Sequence, residues 1–200
     1  MQEANSRRSN RDRTEATRGE LIAAARRLFT EKSYAETGTP EIVAAAGVTR
    51  GALYHHFADK QALFRAVVEA EAAAVAKTIE QATPRTLSAR DALLAGGEAY
   101  VAAMSLPGRT RLLLLDGPAV LGRAEMDDID GRHGNRTLRE GLAATMRAGD
   151  LPKLPLEALT SLLGAAFDRA ALAVDAGASA QDYRAVLAAV VDGLMRKTSS

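Results

Sequence analysis

Two hundred residues, 47% of them apolar, suffice for one compact unit or for a small domain fused to a larger one with a real core. The chain has no cysteine, which excludes disulfide staples, cysteine-ligated metal and thiol redox sensing; its longest apolar runs fall well short of the about 18 residues a membrane helix needs, and no hydrophobic segment follows the polar N-terminus, so a cytoplasmic protein is expected. The formal charge of +1 hides an asymmetry: residues 1–65 hold 11 Lys and Arg against 8 Asp and Glu, and the remainder holds 15 against 17.

Residues 1–16 read as a flexible basic arm. The first eighteen residues carry Arg7, Arg8, Arg11, Arg13 and Arg18 among Ser, Asn and Thr, with almost nothing apolar to bury. Thr17 and Glu20 then make a capping box for a first helix that places Leu21, Ile22, Ala25, Leu28 and Phe29 on one face. Thr39 can cap a second helix, with Pro40 at the first helical position, where its missing N–H costs nothing. Ile42, Val43 and Ala46 give that helix an apolar face, and Gly47 suits the left-handed residue at which it stops.

Thr49 is a fresh N-cap for a third helix from Arg50 to about His56. Leu53 and Phe57, at i and i+4, are its core-facing anchors. Two short helices joined by a glycine turn form a helix-turn-helix, whose second helix lies in the major groove of DNA with its N-terminal residues nearest the base edges. Thr39, Thr49, Arg50, Gly51, Tyr54 and His55 are left for that contact. Asp59 caps the next helix, and Lys60, beside its positive N-terminus, is a candidate phosphate contact. The net positive half of the chain is the half with this motif, as phosphate binding requires. The arginine-rich arm is then either a solvated tail or an arm that reaches a groove or the flanking phosphates.

Beyond the motif the chain punctuates into helices and offers no strong strand. A long helix is predicted over 60–82, ending before Pro84. Ser88 and Asp91 open another, which Pro107 terminates. A short segment through Leu112 to Leu115 ends near Gly117 and Pro118, and a helix over 123–148 is interrupted near Gly131 and Gly134 and stops at Gly149. The last two helices span 155–176 and 180–196, the final one opened by Ser179 and Asp182. The sum is an all-α chain of about nine helices.

The stretch from Thr17 to Phe29, with Tyr34, the run from Gly47 to Phe57 and the run from Lys60 to Phe64, resembles the DNA-binding domain of the TetR family of bacterial transcriptional regulators. Ser33 stands where that family usually has a glycine, and a serine there caps with some strain. Leu112 to Gly122 is similar to a segment in one subgroup of the family's ligand-binding domains. The resemblance implies a helix-turn-helix domain over 17–65 and an effector-binding and dimerisation domain over 66–200.

Tyr183, Val186, Leu187, Val190, Val191 and Leu194 follow i, i+3, i+4, i+7 spacing, and the preceding helix offers Leu159, Leu162, Leu163, Ala166, Phe167 and Ala170. Periodicity alone fits either a monomer core or a dimer seam. The resemblance implies a homodimer whose interface includes Leu159, Leu163, Phe167, Tyr183, Val186, Leu187, Val190 and Leu194. It also implies an effector pocket, for which Tyr100, Met104, Leu113, Asp116, His133, Met146 and Phe167 are the candidates. Few aromatics lie beyond residue 70, which favours a modest, largely apolar ligand over a stacked planar cation. Asp116, a carboxylate beside four leucines, needs a partner. Gly96 and Gly97 inside a helix mark close packing or a hinge.

The expected function is a homodimeric repressor released from a palindromic operator by a small effector. The alternative is a DNA-binding regulator without a small-molecule sensor, controlled by abundance or by a protein partner. Nothing calls for a cofactor. Asp127, Asp128, Asp130 and His133 read as a solvated acidic face, since they do not share one helical face and no second histidine is near. An enzyme is not expected: the chain has no Gly-x-Ser-x-Gly elbow, no phosphate-binding glycine loop, no His-Glu-x-x-His and no cysteine nucleophile.

Overall fold

The computed structural model of the chain describes residues 2–84 and 86–195, with side chains from residue 12 onward. Among the described residues there are ten α-helices, one π-helical segment and no strand, the all-α class expected. The helices are α1 (Gln2–Lys32), α2 (Thr39–Ala46), α3 (Arg50–His56), α4 (Lys60–Ala82), α5 (Ala89–Met104), α6 (Gly117–Leu121), α7 (Arg123–Arg132), α8 (Gly134–Ala148), α9 (Leu156–Asp175) and α10 (Ala180–Met195), with the π segment at Arg111–Asp116. No helix among the described residues is long and apolar enough to cross a membrane.

The first helix departs from expectation. It runs through Thr17, which is therefore no cap, and residues 2–16 continue it as helix. Residues 2–20 contain no proline and one glycine, so nothing local stops a helix there, and packing begins only at Leu21. The side chains of Arg7, Arg8 and Arg11 lie outside the described residues. At the other end α1 stops at Ser33, which takes φ 107°, a left-handed conformation. The strain expected of a serine in the glycine position is present, and the Thr37 hydroxyl donates to Ser33 O at 2.7 Å to hold the turn.

α2 is capped differently from the sequence reading. Gly38 precedes the helix and Thr39 is its first residue, so the Thr39 hydroxyl is not the cap; Glu41 instead accepts the Gly38 N–H at 3.2 Å. Gly47 ends α2 at φ 67°, Thr49 Oγ1 accepts the Ala52 N–H at 3.2 Å, and Asp59 Oδ1 accepts the Ala62 N–H at 2.7 Å, all as expected. Leu21, Phe29, Ile42, Leu53, Leu63 and Phe64 are fully buried where α1 to α4 meet, each contributing roughly 1.5–3 kcal/mol. Phe29, Tyr34 and Phe64 pack ring against ring with centroids 4.9–5.6 Å apart.

The core does not break at residue 65. It continues along α4 through Val67, Val68, Val75 and Ile79 to Met104, Leu112 and Ile129, so α4 belongs to both domains. A second cluster of Leu142, Leu151, Leu159, Leu163 and Phe167 fills the space between α8 and α9.

One further helix boundary differs from the sequence reading. The segment at Leu112 to Leu115 does not end at Gly117 and Pro118: the Gly117 N–H donates to Leu112 O, five residues back, and Pro118 sits in the first turn of α6, where it needs no donor. The break in 123–148 falls at His133 (φ −123°, ψ −101°), between Gly131 and Gly134 as expected. Residue 196, the expected end of the last helix, lies outside the described residues.

Candidate functional site

The outward face of α3 gathers most of the residues expected to meet DNA. Leu53 and Phe57 turn inward and are buried, which leaves Arg50, Gly51, Tyr54 and His55 exposed. Thr49 is exposed too, with its hydroxyl engaged in the cap. The Arg50 guanidinium lies 5.5 Å from the centroid of the Tyr54 ring. Hydrogen bonding with the Thr39 side chain, then with Arg50, holds the Tyr54 phenol below its usual range. Thr39 of α2 and Arg50 and Tyr54 of α3 therefore form one constellation across the turn.

Lys60 stands apart from it. Its ammonium donates to Tyr34 O at 2.9 Å and Thr37 O at 3.1 Å and sits 4.2 Å from the Tyr34 ring centroid, so it ties the α1–α2 loop to α4. A lysine at a helix start was read from sequence as a phosphate contact because the loop carbonyls that capture it come from residues far back in the chain. The His55 and His56 rings meet edge to face at 5.3 Å; His55 is exposed, and His56 is half-buried with its ring 6.4 Å from Phe57. Arg18, on α1, lies 5.2 Å from the Phe57 ring.

A polar hub joins this domain to the rest. Glu71 of α4 is buried and accepts from Arg26 of α1 at 3.0 Å and 3.3 Å and from Arg109, also buried, at 2.8 Å. Burial by itself raises the Glu71 carboxyl, but the hydrogen bonds from the two guanidiniums hold it below the usual range. Arg109 also donates to Ala103 O at 2.8 Å, at the end of α5. Beside this hub Gln61 Nε2 donates to Val120 O at 2.8 Å, and Arg65 pairs with Glu125.

Within the larger domain α4, α5, α7, α8 and α9, with the α4–α5 connection, line a half-open cavity of about 420 Å³. Of the residues expected there, Tyr100 and Phe167 line it and the other five do not. Met104 and Leu113 are buried in the core, and Met146 packs against the second cluster. Asp116 finds its partner in Arg111 at 3.3 Å, and His133 Nε2 lies 2.7 Å from Glu69 Oε1. The walls supply polar groups that the sequence reading missed. Tyr100 donates to Asp168 Oδ1 at 2.5 Å, and Asp130 and Asn135 also line the space. Burial, then the charges of Asp168 and Asp127, pushes the Asp130 carboxyl up to about 7. Burial also raises Asp168, against the Tyr100 hydrogen bond. A signal for Asp168 was present: its i±4 neighbours are Gly164 and Leu172, so it is a carboxylate on the apolar side of a helix. Gly97 allows the close approach expected of it, since a Cβ there would lie 2.4 Å from Phe167 Cε1.

The residues expected at a dimer seam divide between two faces. Leu159, Leu163 and Phe167 turn into the protomer's own core, and Tyr183, Leu187 and Leu194 are half-buried. Val186 and Val190 face outward, as does Leu162, which was not among the expected seam residues, at 72% exposure.

An exposed recognition helix, joined through a shared core to a larger helical domain with a cavity, defines a DNA-binding transcriptional regulator. Residues 21–67 match the model of the bacterial regulatory proteins of the tetR family, and residues 90–197 match that of the tetracyclin repressor-like C-terminal domain. The chain belongs to the TetR family, whose members are regulators and not enzymes. A TetR-family regulator from Pectobacterium atrosepticum of solved structure is 32% identical, with a TM-score of 0.73 over 94% of this chain and 98% of that one. The transcriptional activator FasR of Mycolicibacterium smegmatis is 35% identical over 94 residues, 47% of this chain and 43% of FasR. The transcriptional repressor AcnR of Corynebacterium efficiens is 37% identical over 70 residues, 35% of this chain and 37% of AcnR. The chain thus matches less than half the length of either of these two regulators.

Proposed function

We propose that the chain is a homodimeric, cytoplasmic repressor that binds a palindromic operator and is released from it by a small effector with a largely apolar body. The observation that carries this reading is the outward exposure of the apolar side chains Leu162, Val186 and Val190 on α9 and α10, on the same molecule as an exposed recognition helix. Exposed apolar side chains on these two helices favour burial against a copy of the chain. One recognition helix contacts only a few base pairs, and a two-fold partner supplies a second half-site.

The cavity supports effector control over the alternative of a regulator governed by abundance alone, which a solid core would have favoured. The switch is a shift between two spacings of the recognition helices. α4 is the lever, since it packs on α1 of the DNA-binding domain and on α5 and α8 of the larger domain, and the Glu71 hub fixes α1 to the α5 end. An effector that prefers the wrongly spaced form weakens operator binding by its differential affinity, about 1–3 kcal/mol for coupling of this type. FasR activates and AcnR represses, so the sign rests on this switch argument and not on relatives.

Selection of bound sequences from a random DNA pool by the purified protein tests the reading. An inverted repeat with half-sites about one helical turn or a multiple apart supports it. Sequence-independent enrichment removes the operator, and a monomer at micromolar concentration in sedimentation removes the dimer.

A further inference from the structure

The cavity is lined by two carboxylates, and among the described residues no lysine, arginine or histidine lines it. Elsewhere in this fold buried and half-buried carboxylates are matched by cations: Glu71 meets Arg26 and Arg109, and Glu69 meets Arg132 and His133. Asp130 has no hydrogen-bonding or cationic side-chain partner among the described residues, and Asp168 has only the Tyr100 hydroxyl. A carboxylate in an apolar wall is unfavourable unless a cation or donor reaches it. The rest of the wall is mixed, with neutral polar side chains from Thr83, Asn135, Thr137 and Thr145 beside the apolar Ile79, Leu93, Leu138 and Phe167, and its volume suits a small organic molecule.

We propose that the cavity binds a small organic cation, a protonated amine on an apolar body, with its ammonium held by Asp130 and Asp168 and its body against Ile79, Leu93, Leu138 and Phe167. This rests on the reading of the cavity as the effector site and adds the chemical class of the effector. An anionic ligand such as a fatty acid would bring a third carboxyl to a site that already holds two, and is disfavoured by like-charge repulsion wherever these are ionised. Among the described residues the groups facing Asp130 are Asp127 from its own helix, Asp168 from α9 and Tyr100 from α5, none of them cationic. An ammonium restores the ionised form of Asp130, so amine binding tightens from about pH 6 to about pH 8 and is accompanied by proton release.

Titration calorimetry of the full chain with hexylamine, hexanol and hexanoate tests the proposal. Hexylamine is expected to bind about tenfold or more tightly than hexanol, and hexanoate not to bind; Asp130→Asn and Asp168→Asn are each expected to lose about tenfold in hexylamine affinity. Melting curves establish that both variants are folded. The proposal is overturned if hexylamine does not bind, if hexanol or hexanoate binds as well, or if folded Asp130→Asn and Asp168→Asn both bind hexylamine as the parent does. Operator release is measured separately. Hexylamine that binds without releasing DNA leaves the ligand class standing and removes the sensor reading, while hexanoate that binds and releases DNA does the reverse.

Discussion

Nε of Arg109 donates to Glu71 Oε2 at 2.8 Å in the interior of the protein, and Arg26 donates to both oxygens of the same carboxylate from the DNA-binding side. Because one carboxylate serves two guanidiniums from different domains, its loss leaves a buried arginine without a counter-charge. Glu71→Ala is expected to lower stability by about 3–5 kcal/mol in urea titrations. Arg26→Ala should cost less, since Arg26 is only half-buried and Arg109 keeps its partner. A Glu71→Ala loss below that of Arg26→Ala would mean the hub is not a structural tie.

Ser33 occupies a left-handed backbone at φ 107°. Glycine adopts this conformation freely, whereas an L side chain pays roughly 1–2 kcal/mol. The Ser33 Oγ contact with the Glu36 N–H, at 3.3 Å, is lost in exchange. Ser33→Gly is expected to gain about 1 kcal/mol in thermal or urea unfolding, and no change in DNA affinity should accompany it.

Lys60 separates two roles cleanly. With two carbonyl acceptors and the Tyr34 ring holding its ammonium, Lys60→Met is expected to lose about 1.5–3 kcal/mol of stability while the slope of operator affinity against salt stays unchanged. A slope reduced by one phosphate per protomer, with stability intact, would restore the phosphate contact expected from sequence.

Gly97 and Gly141 both lie inside helices and line the cavity, but their surroundings differ. An alanine Cβ at 97 meets Phe167 at 2.4 Å, whereas at 141 the nearest atom is Leu93 Cδ2 at 3.6 Å. Gly97→Ala is expected to cost about 1–3 kcal/mol by overpacking, and Gly141→Ala to gain about 0.5–1 kcal/mol from reduced backbone entropy. Chemical denaturation of the pair reads both signs.

Asp130 sets a pH dependence of the apo protein. Its carboxyl, at about 7, lies above the unfolded value of about 3.9. The native state therefore prefers the protonated form, and the stability this group contributes is full below about pH 4 and is lost as pH rises through about 7. Asp130→Asn stays neutral throughout. Its stability, followed by thermal melting, should match the parent near pH 4 and exceed it above pH 7, by on the order of 2 kcal/mol once partial solvation is allowed for.

The helix-turn-helix was legible in the sequence because its determinants are local. Gly47, Thr49 and Asp59 act on backbone groups within a few residues, and Leu53 and Phe57 share a face through helical spacing alone. The same locality explains the errors. Thr17 looks like a cap, yet a cap only permits a helix to start and nothing before it forbids continuation; Thr39 looks like a cap, yet Glu41 closes back on Gly38 and takes that place.

What the sequence by itself determined was the helical class, the helix-turn-helix and its exposed face, because propensity, capping and periodicity are set by neighbours along the chain. The tertiary structure alone decided the cavity and the hub. Tyr100 meets Asp168 across 68 residues, and Glu71 collects arginines 45 residues before it and 38 after it. It also decided that Leu163 faces its own core while Leu162, one residue earlier, faces outward. Both are leucines on one helix, and only the position of α8 determines which of them is already covered.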